Sequence, residues 1–214
     1  LMVCGSIISI VLFAIFSKDL PSPEKLTARK ISSSTRILDR NGKIIYEVFR
    51  DTNRSLIKLS DLPQNVIDAA LATEDGEFYL HQGFDLTGII RAIRNTIFFH
   101  NIQGGSTITQ QLVKTALLSR EKSVVRKIKE LVLSIQIERI YNKDQILQIY
   151  FNEVPYGGTA LGIGAAAELY FGKSVSELTL AEAALLAGLP QSPSAYSPFG
   201  REPQKARERQ RYVL

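Results

Sequence analysis

Asn65-Val66-Ile67-Asp68-Ala69-Ala70-Leu71-Ala72-Thr73-Glu74-Asp75-Gly76-Glu77-Phe78 carries a helical period. At 3.6 residues per turn, Val66, Ile67, Ala70, Leu71 and Phe78 fall on one face, and Glu74 falls there with them. A solvated helix puts its glutamates on the other side. If the helix runs through Glu74, the carboxyl is desolvated, its pKa is expected to rise, and it can take or give a proton near neutral pH. If the helix ends at Thr73, Glu74 and Asp75 are ordinary exposed loop acids. The period alone supports both readings.

Working outward, the 214 residues allow one sizeable core, or one core plus an appendage. Cys4 has no cysteine partner, so no disulfide framework exists, and Cys4, His81 and His100 are too scattered for a zinc site. Residues Leu1–Ser17 carry no charge and are mostly Ile, Val, Leu, Phe and Ala; the first charge is Lys18. The run is slightly shorter than the roughly 20 apolar residues of a full span. It reads as a truncated membrane anchor, with the chain expected to continue upstream of Leu1. A cleaved signal peptide is the rival, but no small-residue cleavage site precedes Lys18. A buried core helix fits less well, because the run is apolar on every face.

Residues 18–58 read as a linker followed by a hairpin. Ser17–Ser34 is rich in Pro, Ser and Lys; then Asn41-Gly42 separates Arg36-Ile37-Leu38 from Ile44-Ile45-Tyr46-Glu47-Val48, a strong hairpin signal. Residues 59–214 read as one mainly α-helical domain. The expected helices start near Pro63, at Asp85 or Thr87 (running to about Phe99), at Ser106 as cap, at Ser123 (to Tyr141), at Lys143, at about Thr159, at Thr179 and at Pro203. No strand–helix alternation of a nucleotide-binding fold is present.

Three constellations carry chemistry. On the Ser123–Tyr141 helix, Val125, Ile128, Val132 and Ile135 form the main expected apolar stripe, and Arg126, Glu130, Leu133 and Ile137 form a second row. A helix apolar on two faces is largely buried, and a buried glutamate is rare unless paired, so Glu130 is either in a structural i,i+4 pair with Arg126 or functional. On the next upstream helix, Thr107, Gln111 and Lys114 share one face behind Gly104-Gly105, where free N–H groups at a helix start favour an anion. Close in sequence lies a basic cluster: Lys114, Arg120, Lys122, Arg126, Lys127 and Lys129. Such a cluster is usually a solvated face; beside Glu130 and a glycine-led helix start it suits a pyrophosphate. No aromatic residues interleave with it, which argues against nucleic acid as a partner. Ile97-Phe98-Phe99 forms an apolar patch that suits either the core or a bilayer surface.

Ala72–Gly83 resembles the Glu-Asp-x-x-Phe-x-x-His-x-Gly signature of the peptidoglycan glycosyltransferases, glycosyltransferase family 51. Gly104–Lys114 resembles the family's second motif, Arg126–Glu130 its Arg-Lys-x-x-Glu third, Ile149–Gly157 its fourth and Glu182–Pro190 its fifth. The anchor and hairpin resemble the N-terminal part of a class A penicillin-binding protein.

The resemblance implies a lysozyme-like helical domain with a membrane-dipping lobe near Ile97–Val125. The implied protein is single-pass in the bacterial cytoplasmic membrane, with its catalytic domain on the outer face. It implies polymerisation of lipid II, a disaccharide-pentapeptide on an undecaprenyl pyrophosphate, into β-1,4 glycan strands. Glu74 would be the base for the acceptor hydroxyl; Lys114, Lys122, Arg126 and Lys127 would bind pyrophosphate; Glu130 would assist departure or orient those cations, with a divalent cation such as Mg or Mn as the one cofactor to consider. Asp75, Phe78, His81, Thr107, Gln111, Asn152 and Tyr156 complete the implied substrate site. A following transpeptidase domain is a further expectation. Two rivals stand beside this reading: a lytic glycoside hydrolase, which also uses two carboxylates, and a non-catalytic glycan-binding scaffold.

Overall fold

Asp39 organises the first turn. Its backbone oxygen accepts from the Gly42 N–H at 3.0 Å and its Oδ1 accepts from the Asn41 N–H at 2.8 Å, while Gly42 takes φ +82°, which glycine adopts without strain. The turn joins β1 (Thr35–Leu38) to β2 (Ile44–Val48) as an antiparallel hairpin, with Thr35 opposite Val48 and a register shift between Ile37 and Leu38. The Asn-Gly hairpin expected from the sequence is therefore present.

The computed structural model describes residues 20–24, 26, 35–42, 44–48, 53–88, 90–91, 105–119 and 123–214. The expected anchor over residues 1–17, the Ile97-Phe98-Phe99 patch, Gly104, Arg120 and Lys122 lie outside them. Among the described residues no helix is long and apolar enough to cross a membrane. The chain divides into two units, Tyr79–Ile146 with Leu1–Arg29, and Lys30–Phe78 with Leu147–Leu214.

In the second unit, α1 (Gln64–Glu74) starts behind Pro63, whose fixed φ suits a helix start, and buries Val66, Ala69 and Ala70. The helix does include Glu74. It stops there because Asp75 turns extended (φ −163°), while the Asp75 N–H still donates to Leu71 O at 2.9 Å. Phe78 is thus beyond the helix, not on it; a turn closed by its N–H to Asp75 O returns its ring to full burial.

A small sheet, missed in the sequence, follows. β3 (Asn53–Arg54) runs parallel to β5 (Ala160–Leu161), which pairs antiparallel with β4 (Pro155–Gly157), in the order β3-β5-β4. The sheet uses residues expected to begin a helix near Thr159, so α5 starts only at Ile163 and runs to Phe171. α6 (Leu180–Gly188) packs against both α1 and α7 (Pro203–Val213). Its start is fixed by a capping box, in which Thr179 and Glu182 satisfy each other's backbone N–H groups. The fold is mainly helical with a hairpin and one three-stranded sheet.

In the first unit, α2 (Ile108–Ala116) packs on α3 (Val124–Ile140). Thr107, not Ser106, caps α2, accepting from the Gln110 N–H; Ser106 is engaged by a lysine instead. Ser123 caps α3, accepting from the Arg126 N–H at 3.0 Å. The second row of α3 is interior as expected, Glu130, Leu133 and Ile137 being buried with Val132 and Ser134. The rest of the expected main stripe is less so: Ile128 and Ile135 are partly buried and Val125 is exposed. α4 (Lys143–Glu153) carries the boundary between the units.

Candidate active site

Glu130 is 2% exposed on α3, in the second row of that helix. A carboxylate so desolvated needs cations, and two on its own helix supply them: Arg126 Nη1 lies 2.9 Å from Oε1 and Lys127 Nζ lies 3.0 Å from Oε2. The Lys127 ammonium also donates to Ser106 Oγ at 2.7 Å and Gln110 Oε1 at 3.0 Å, which occupies its three N–H groups and fastens α3 to the start of α2. Arg126 Nε is buried and donates to no described residue, so the arginine meets Glu130 as a charge without the bidentate fork. Arg126, Lys127 and Glu130 therefore come together as the sequence spacing implies.

Within the same unit, His81 and Gly83 are held by their backbone oxygens. Gly83 O accepts from Thr107 Oγ1 at 3.1 Å and Gln110 Nε2 at 3.3 Å. His81 O accepts from Lys143 Nζ at 2.7 Å. Lys143 in turn pairs with Glu138, which also accepts from Thr109 Oγ1. Glu138 and Lys143 were missed in the sequence, because Glu138 near the end of a helix beside Arg139 reads as a surface residue; its side chain is 4% exposed. Thr107 and Gln111 are buried on α2, and Lys114, one turn beyond Gln111, is exposed.

In the second unit, Glu74 is half-buried at the end of α1, with Asp75 buried next to it and Phe78 fully buried after the turn. Tyr150 on α4 and Tyr156 on β4 are each 1% exposed. Burial first, and then the negative charge of Glu74, push both phenols well above the usual tyrosine range, so both remain O–H donors. Tyr156 thus belongs to the surroundings of Glu74.

Asn152 does something more local than its implied substrate role. Its Nδ2 donates to Ile57 O at 2.9 Å and Gln148 O at 2.8 Å, and its Oδ1 accepts from the Ile57 N–H at 3.0 Å. It clamps the segment between β3 and α1. Beside it, Glu153 takes a two-pronged pair from Arg54 at 2.8 and 3.2 Å, which binds β3 to the end of α4. That pair spans 99 residues of chain and leaves no local signal.

A divalent cation does not fit Glu130, whose two oxygens each face a cation. Among the described residues no group of three or more His, Cys, Asp or Glu side chains could hold a metal ion.

The family model described as Transglycosylase matches residues 41–214. Penicillin-binding protein 1A of Rickettsia prowazekii is 40% identical over 218 residues, covering 100% of this chain and 27% of the relative. Penicillin-binding protein 1A/1B of Bacillus subtilis is 44% identical over 216 residues, covering 100% of this chain and 23% of the relative. The chain thus spans about a quarter of the length of the curated relatives it matches. The crystal structure of penicillin-binding protein 1A from Haemophilus influenzae is 29% identical, with a match that covers 86% of this chain and 18% of that one at a TM-score of 0.47.

Proposed function

The chain belongs to the transglycosylase family, and from that premise we propose that it polymerises lipid II into β-1,4-linked glycan by inverting glycosyl transfer. Glu74 takes the proton from the acceptor's 4-hydroxyl as that oxygen attacks the anomeric carbon of the growing strand. The carbon–oxygen bond to the lipid pyrophosphate breaks, and the pyrophosphate leaves with the bonding pair. The lysozyme-like fold implied by the sequence is part of the proposal, and the mainly helical composition with one small sheet supports it.

One observation carries the reading: the α1 terminus holds Glu74 half-buried beside Asp75 and Phe78, with two buried phenols under the influence of its charge. A base needs such a setting, sheltered enough to hold a proton. Arg126 is the cation best suited to the departing pyrophosphate, because its buried Nε–H is not committed to a described residue. Lys114, exposed on α2, and Lys122 complete the proposed anion site. Lys127 acts there mainly by holding Glu130, Ser106 and Gln110 in place. Stabilising charge where it develops is the largest service such a site provides.

The proposal includes a membrane-facing first unit, because the substrate is lipid-linked. Leu80 at 81%, Leu86 and Ile90 at 61% each, and Val124 at 79% are large apolar side chains left exposed there. The test is a gel of products from labelled lipid II incubated with this chain. Ladders of elongated glycan are expected. Shortening of preformed glycan without any elongation would favour the lytic hydrolase and contradict the proposal.

A further inference from the structure

Tyr150 is a buried group that the reaction above leaves without a task. Its side chain is fully interior, and its hydroxyl, also buried, makes no hydrogen bond to any described residue. Buried polar groups are nearly always paired, so a lone one needs a reason. Packing does not supply it: the ring meets Phe151 edge-on, with centroids 5.7 Å apart at 74°, and a phenylalanine would make the same contact. The hydroxyl is therefore a cost to the folded state that the ring alone would not incur.

The groups that act on this hydroxyl are Glu74, Tyr156 and Asp75, with Glu74 the strongest. All four lie in the second unit. Burial and those charges keep the phenol protonated, so at neutral pH it can only be approached as an O–H.

We propose that the Tyr150 hydroxyl is a positioning donor for Glu74. It donates to the Glu74 carboxylate when an acceptor sugar is bound, holding one carboxylate oxygen so that the other faces the acceptor hydroxyl. The hydroxyl has no partner among the described residues, which leaves it free to make that bond. A donor on the ionised form favours that form, so Tyr150 also keeps Glu74 charged and ready to accept a proton. The inference rests on the reading of Glu74 as the base.

Tyr150→Phe tests it in this chain with labelled lipid II. The expected result is a kcat about tenfold lower with KM little changed, the size of one lost hydrogen bond to a charged group. The acid limb of the pH–rate profile is expected to move up by about one pH unit, because a carboxylate without its donor titrates higher. Tm is expected to be unchanged or higher, since an unpaired buried hydroxyl is removed. An unchanged kcat and acid limb overturns the inference, and so does a kcat loss accompanied by a lower Tm and an unmoved acid limb. Glu74→Gln separates the two layers: if that variant stays active, the reading of Glu74 fails. If it is inactive while Tyr150→Phe behaves as wild type, only the role of Tyr150 fails.

Discussion

Gly83 lies so close to Ser134 that a Cβ placed on it would stand 2.8 Å from the Ser134 carbonyl carbon and oxygen. The backbone there is also at φ +85°, the left-handed region. Two independent constraints thus demand glycine, and neither can be relieved by moving a flexible side chain. The contact lets the loop carrying His81 lie against α3, and it presents Gly83 O to Thr107 and Gln110.

Gly83→Ala is therefore expected to lower stability by about 2 kcal/mol or more, read as a fall in the urea midpoint. A variant as stable as the wild type would show that the close approach to Ser134 is not maintained.

Asn152 is expected to behave as a clamp. Asn152→Ala removes three hydrogen bonds, two to Ile57 and one to Gln148, and takes the partner from the partly buried Ile57 backbone. The expected loss is about 2 kcal/mol, seen as a lower Tm. If Tm holds and KM for lipid II alone rises, Asn152 is a substrate contact instead.

Glu182 gives a pH-dependent prediction. Its hydrogen bond from Lys173, followed by those from the Thr179 backbone and side chain, holds its carboxyl at about 2, below the ordinary 4.5. The folded state binds this proton less readily than the unfolded chain, so the carboxylate stabilises fully above its unfolded value. The contribution is lost as pH falls from about 5 toward 2. Urea midpoints of wild type and Glu182→Ala are expected to differ most at pH 7 and to converge as the buffer is taken down to pH 3. A gap of constant size would mean that the carboxylate charge contributes nothing to the α6 start.

What could be read in advance divides by range. The Asn41-Gly42 hairpin, the Ser123 cap and the Arg126–Glu130 pair are set by residues within a few positions of one another, and local spacing exposed them. The three-stranded sheet was not legible, because β3 and β5 are two residues each and their pairing joins Asn53 to Ala160. Strands that short have no period to detect. The row of α3 that holds Glu130 was legible as buried, but the start of the other stripe was not, because Val125 reads as apolar and yet is exposed. The row turned fully inward is the one whose glutamate is neutralised by Arg126 and Lys127. Ser106 was expected to cap α2, but Lys127, 21 residues on, engages it and Thr107 caps instead. The family motifs carried the chemistry across these gaps, since they name residues without needing their contacts.

The proton-taking role of Glu74 is tested most directly by Glu74→Gln, which keeps the size of the side chain and removes its basicity. Glycan ladders from labelled lipid II are to be run for this variant beside the wild type, with substrate binding measured in parallel. The account predicts that substrate still binds while glycan synthesis falls by at least about 100-fold, within the range that general acid–base catalysis supplies. Near-normal ladders from Glu74→Gln would contradict it.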